Sequence, residues 1–241
     1  MSGLFVDAGE AAALLARGAV VLDTRGLKSL ALGQLPGSQR LSWRVGVDGG
    51  PTSGRLGEER AAAAAFAAAG VDEERSVLVV GDWDAAWGEE GRVAWDLVYL
   101  GHPSVHILRG GAAAWPGPWS WLPRSPAPGR FVARPRPAVR ASLADLRAPG
   151  ALIWDVREAD EYEGARRYGE AYGGHIPGAV HHPWRSLLRG PLPPTTGTVY
   201  TTCTGGVRSA MAWALLTAAG RPCAHHDGGW WEWSSQHPRP N

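Results

Sequence analysis

TVYTTCTGGVRSAMAWALL, residues 198–216, is a β-branched run that stops at a cysteine, turns through two glycines and enters an apolar helix. Strand, glycine turn and helix in that order place Cys203 at a helix N-terminus, in a bend of backbone. A free thiol titrates near pH 8.5, and helix N-termini or adjacent cations lower this to about 3.5–7.5. Here the N–H groups from Thr204 to Arg208 are expected to curl around one point. Gly205 and Gly206 permit the curl, the helix opening near Val207 adds its positive end, and Arg208 adds a cation. Lowering a pKa by two units takes about 2.7 kcal/mol of preference for the charged form, within reach of a few charge-assisted hydrogen bonds. Cys203 is therefore the candidate nucleophile and Thr204, Gly205, Gly206, Val207 and Arg208 its cradle, with no metal and no cofactor required.

Working outward, the same pattern occurs twice. LDTR at 22–25 answers WDVR at 154–157, GQLPGS at 33–38 answers GHIPGA at 174–179, and Trp43 answers Trp184. Farther on, SVLVVGD answers TVYTTC, Ala94-Trp95 answers Ala212-Trp213, and Gly110-Gly111 with Trp115 answers Gly228-Gly229 with Trp233. Repetition in this order is the signature of a duplicated unit. Within each copy, short apolar runs such as AVVLDT (19–24), SVLVVG (76–81) and ALIWDV (151–156) alternate with helical stretches. Asp7 caps the first helix, 92–100 reads as another, and 83–91 as a loop. The fold class is α/β: two domains, each a mostly parallel sheet flanked by helices. Between them, 115–137 carries seven prolines and reads as a stiff linker. The expected domains are 1–115 and 138–241, with the linker at 116–137.

A chain of 241 residues with 44% hydrophobic content has room for two cores. Its 24 basic and 23 acidic residues leave a net charge of +1, so no global field attracts nucleic acid or an anionic membrane. Two cysteines do not make a disulfide framework. The longest apolar run, 61–69, is mostly alanine and falls far short of the roughly 20 residues a membrane helix needs. MSGLFVDAGE lacks a basic region followed by an apolar core, so the expectation is a cytoplasmic protein.

With WDVR, GGHIPGA, CTGGVRS and DGGWWEW (227–233) in this order and spacing, the chain resembles the tandem-domain rhodaneses, thiosulfate and 3-mercaptopyruvate sulfurtransferases. The resemblance covers nearly the whole chain. It implies that the second domain carries the active cysteine while the first, with Asp82 where Cys203 aligns, is a catalytically silent copy. It also implies double displacement. Cys203 takes a sulfane sulfur from a donor such as thiosulfate or 3-mercaptopyruvate, then passes it as a persulfide to a thiol or cyanide, or to a sulfur-accepting protein. Two alternatives share the architecture: a persulfide carrier or interaction module, and a Cys-dependent phosphatase or arsenate reductase. Tyrosine phosphatases have one residue more between Cys and Arg, to wrap a phosphate; the tighter loop here suits a sulfur atom.

The chain departs from the family around the nucleophile. Thr204 and Gly205 are neither the basic residues of thiosulfate-type members nor the Gly-Ser-Gly of mercaptopyruvate-type members, and Glu161 stands where tandem members often place a substrate-binding arginine. Candidates for the donor's anion site are Arg208, Arg166, Arg167, Arg185 and Arg189, with Trp230 a candidate at the site's mouth. Arg157 reads as a structural ion-pair partner. The pairs His181-His182 and His225-His226 point to opposite faces of a strand and do not suggest a metal site. Cys223 reads as a core residue.

Overall fold

The computed structural model of the chain describes residues 3–31, 33–121 and 127–237. It divides into two compact units, Met1–Gly46 with Glu58–Arg136, and Val47–Gly57 with Pro137–Asn241. The second unit thus takes in eleven residues from the first half of the sequence.

The first unit runs β1 (Phe5–Val6), α1 (Ala8–Ala16), β2 (Val20–Asp23), α2 (Leu27–Leu30), β3 (Gln39–Arg40), α3 (Glu59–Ala68), β4 (Val77–Val80), α4 (Glu89–Tyr99) and β5 (Val105–Leu108). Its sheet has the order β1-β5-β4-β2-β3 with every pair parallel. VVLD in β2 and VLVV in β4 are buried at every position, as expected for β-branched strands covered on both faces. Asp7 and Glu10 close α1 with reciprocal bonds of 2.8 and 2.9 Å. Val6, Leu14, Val21, Leu78, Val80, Leu108 and Trp115 form one core cluster.

The second unit continues with α5 (Leu143–Arg147), β6 (Leu152–Asp155), α6 (Ala159–Glu163), β7 (Val180–His181), α7 (Trp184–Arg189), β8 (Val199–Thr202), α8 (Arg208–Ala218), β9 (Cys223–His225) and α9 (Gly229–Gln236). Its parallel sheet has the order β7-β6-β8-β9. A single bridge from Arg140 to His225 occupies the edge that β1 takes in the other unit. Leu146, Ile153, Tyr172, Ile176, Trp230 and Trp233 make a core cluster.

The duplication has a physical device behind it. At the end of β2, Asp23 binds the Arg25 guanidinium, whose Nη2 then donates to Gly33 O at 2.8 Å. At the end of β6, Asp155 binds Arg157, and Nη2 donates to Gly174 O at 2.7 Å. Each arginine pins the Gly-x-x-Pro-Gly turn to the strand before it, which is why Asp-x-Arg and that turn recur together.

Three features differ from expectation. Neither β1 nor α2 announces itself, being too short to show a period. The helix expected from 92 starts at Glu89, because Gly88 at φ 76 turns the chain into it. The linker expected over 116–137 is partly bonded to the first unit. Gly129 N donates to Ala67 O (2.8 Å), Arg134 N to Leu100 O (2.8 Å) and Arg136 N to Tyr99 O (2.7 Å), while Phe131 is buried. Extended backbone between prolines keeps some N–H groups, and these reach carbonyls at the C-terminal ends of α3 and α4. Residues 122–126 of that stretch lie outside the described residues. Among the described residues no helix is long and apolar enough to cross a membrane.

Candidate active site

β8 carries Cys203 one residue past its last strand position, at the C-terminal edge of the second sheet, where α/β folds place ligands. Cys203 is 1% exposed. The loop turns at Gly206, with φ 77, and α8 begins at Arg208. The loop's outer side is tied down by α9: Trp230 N donates to Cys203 O at 2.7 Å and Trp231 N to Thr204 O at 3.0 Å. One helix N-terminus therefore satisfies the carbonyls of the loop while a second begins at its end. Gly205 lies flat against Trp231, where any Cβ would overlap the indole ring. On its other side the Gly205 carbonyl meets Gly54, again too closely for a side chain.

The sulfur receives a hydrogen bond from Ser209 Oγ at 3.2 Å, with Ser209 fully buried. Sequence reading ended the cradle at Arg208 and so missed this residue. A serine in the first turn of α8, six residues after the nucleophile, was the available signal.

Arg208 points into the protein. Its Nη1 donates to Glu161 Oε2 at 2.5 Å and its Nη2 to Glu161 Oε1 at 2.7 Å and Thr204 Oγ1 at 2.8 Å. The Thr204 hydroxyl donates to Glu161 Oε1 at 2.7 Å. Burial disfavours the charge on Arg208, but the bonds to Glu161 and the nearby Cys203 hold its pKa above the ordinary value. Burial likewise opposes the charge on Glu161, yet Arg208 and Thr204 keep its carboxyl below the usual range. The residue aligned with a family substrate arginine is thus the partner of the loop's own arginine.

Residues 47–57 complete the site's surroundings within the second unit. Val47 bridges Leu56 antiparallel, Leu56 N donates to Asp227 Oδ2 at 2.8 Å, and Arg140 clamps both Asp227 and Leu56 O. Arg55 pairs with Glu232 at 3.2 Å. Glu232 also meets His226 Nε2 at 3.0 Å, and His226 Nδ1 lies 3.1 Å from Thr202 Oγ1. These partners are far apart in sequence, and no local motif announces them.

The other candidates fall elsewhere. Arg166 Nε donates to Glu170 O at 2.9 Å, Arg167 pairs with Asp160, and Arg185 pairs with Glu158 at 2.6 Å. Arg189 is exposed in the last turn of α7. Trp230, expected at the mouth, is 2% exposed and donates to Tyr172 O, so it belongs to the core; its neighbour Trp231 is the tryptophan beside the loop. The reason is helical geometry: Trp230 and Trp233 share the inward face of α9 and Trp231 faces away. Arg157 is buried in its pair with Asp155. Cys223 is pushed up to about 11 by burial, against a bond with Thr217. In the first unit β4 leads through Gly81 and Asp82 into a 3-10 turn at Trp83–Ala85, with no cysteine present. Among the described residues no cluster of three or more His, Cys, Asp or Glu is placed to hold a metal.

Residues 139–236 match the family described as Rhodanese-like domain. The chain is 29% identical to thiosulfate sulfurtransferase of Azotobacter vinelandii over 91% of this chain and 89% of that one. Identity and coverage are the same for thiosulfate sulfurtransferase of Pseudomonas aeruginosa. In fold it resembles the crystal structure of SseA from Escherichia coli, a 3-mercaptopyruvate sulfotransferase, with a TM-score of 0.77 and 22% identity over 95% of this chain and 99% of that one.

Proposed function

We propose that this chain, whose residues 139–236 match the rhodanese-like domain family, is a sulfurtransferase cycling a persulfide on Cys203. The observation that carries the reading is the buried Cys203 sulfur, met by the Ser209 hydroxyl within a loop whose carbonyls are capped by α9. The sulfur anion attacks the outer sulfur of a donor. With thiosulfate, the S–S bond breaks, sulfite leaves with the electron pair, and Cys203 retains the sulfur as a persulfide anion. Cyanide or a thiolate then attacks that outer sulfur and Cys203 is regenerated, a covalent mechanism in two displacements. Arg208, the last residue of the loop, is itself held by Glu161 and Thr204. Arg166, Arg167, Arg185 and Arg189 remain at the periphery of this reading.

The first unit acts as a silent copy, since Asp82 occupies the nucleophile's place and offers no thiol. We place the reaction in the cytoplasm, with a small thiol, cyanide or a sulfur-accepting protein as acceptor, and with no part for nucleic acid or membrane. The test is to incubate the full chain with thiosulfate and with 3-mercaptopyruvate, weigh it intact, and measure thiocyanate after adding cyanide. One added sulfur is expected on the wild type and none on Cys203→Ser. No added sulfur from either donor, with no thiocyanate formed, would overturn the reading.

A further inference from the structure

We infer that the buried Glu161–Arg208 pair sets the donor class of this site, favouring alkyl persulfides over thiosulfate and 3-mercaptopyruvate. The inference rests on the sulfurtransferase reading and concerns which molecule reaches Cys203. Arg208 is the only cationic side chain in the loop from Cys203 to Arg208. Both terminal nitrogens of its guanidinium are directed to Glu161, and one of them also to Thr204. The side chains are 5% and 0% exposed, so the pair is shielded from water and its charges interact strongly. Pulling Arg208 towards a donor would leave a buried carboxylate uncompensated, which proteins tolerate poorly.

The charge balance around the sulfur follows from this geometry. Arg208 and Glu161 cancel, leaving the sulfur anion as the net local charge. Thiosulfate brings two further negative charges, and 3-mercaptopyruvate brings a carboxylate. Three of the arginines expected to receive them, Arg166, Arg167 and Arg185, are already engaged, with Glu170 O, Asp160 and Glu158. A protonated alkyl persulfide, R–S–S–H, brings no charge on its reacting sulfurs. The Cys203 anion attacks the terminal sulfur, the donor S–S bond breaks, and R–S⁻ leaves with the electron pair. The proton stays on the transferred sulfur, giving Cys203–S–S–H, with charge conserved and no external oxidant or reductant. Thr204 belongs to the same device, since its hydroxyl accepts from Arg208 and donates to Glu161.

The experiment follows sulfur loading of the full chain by rapid-quench intact mass spectrometry. The donors are thiosulfate, 3-mercaptopyruvate and the persulfide of 2-mercaptoethanol, used on wild type and Glu161→Gln. For the wild type, the second-order rate with the alkyl persulfide should exceed that with either anion by about tenfold or more, the factor equivalent to 1.4 kcal/mol. Glu161→Gln leaves Arg208 with net charge, so the thiosulfate-to-persulfide ratio of kcat/KM should rise about tenfold, chiefly through a lower KM for thiosulfate. A role in folding alone would lower rates for all donors together and leave the ratio where it was. If thiosulfate or 3-mercaptopyruvate loads the wild type as fast as the alkyl persulfide, or if the ratio in a folded Glu161→Gln chain is unchanged, the inference is overturned while the sulfurtransferase reading stands. If no donor loads Cys203, both fail. Should Glu161→Gln not fold, the wild-type donor ratio decides.

Discussion

Replacing Ser209 by alanine removes one oxygen and, with it, the hydrogen bond that the Cys203 sulfur receives at 3.2 Å. Both residues are buried, Ser209 completely and Cys203 to 1% exposure, so water is not at hand to replace the lost donor. A hydrogen bond to a charged group contributes about 1.5–3 kcal/mol. At about 1.36 kcal/mol per decade, kcat/KM for sulfur transfer should fall roughly ten- to 150-fold. The fold should not suffer, because position 209 lies in the first turn of α8, where alanine is the better helix former by up to about 0.5 kcal/mol. The Ser209 backbone carbonyl, which accepts from Thr201 Oγ1, is unaffected by the change. Thiocyanate formation gives the rate and a thermal melt gives the stability. A loss under twofold would show that the hydroxyl does not act on the sulfur. A melting temperature lowered by several degrees would show that any loss of rate reflects packing.

Two more outcomes are expected. Burial raises the Glu90 carboxyl to about 8, an effect to which Glu89 and Asp82 add and which the backbone bonds from Glu90 and Trp83 only partly offset. The folded pKa lies above the unfolded one, so the native state binds the extra proton. Stability is therefore lost as pH rises from about 4.5 towards 8, by up to about 1.4 kcal/mol per unit. Urea melts at pH 5 and pH 8 should show this slope in the wild type and a flatter one in Glu90→Gln; equal slopes would refute it. Cys223, with its thiol raised to about 11 by burial, should resist iodoacetamide at pH 8, and Cys223→Ala should keep wild-type sulfur transfer. Alkylation of Cys223 ahead of Cys203 would contradict that placement.

The sequence by itself determined what depends on neighbours along the chain. β-branched runs became buried parallel strands, the Asp7 cap started α1, and the Asp-x-Arg and Gly-x-x-Pro-Gly elements recurred because each arginine locks its own turn. The position of Cys203 before two glycines and a helix was equally local. Tertiary structure alone decided which side chains meet there. Glu161 lies 47 residues from Arg208 in sequence, yet the pair closes because β6 and β8 are adjacent parallel strands whose C-terminal loops share one edge. Residues 47–57 join the second unit through Leu56 and Asp227, a contact with no periodicity to betray it. Adjacent tryptophans were likewise indistinguishable until α9 turned Trp230 inward and set Trp231 against Gly205. Local propensity follows backbone sterics over a few residues. The charge state of a buried site follows distances that only the packed chain creates.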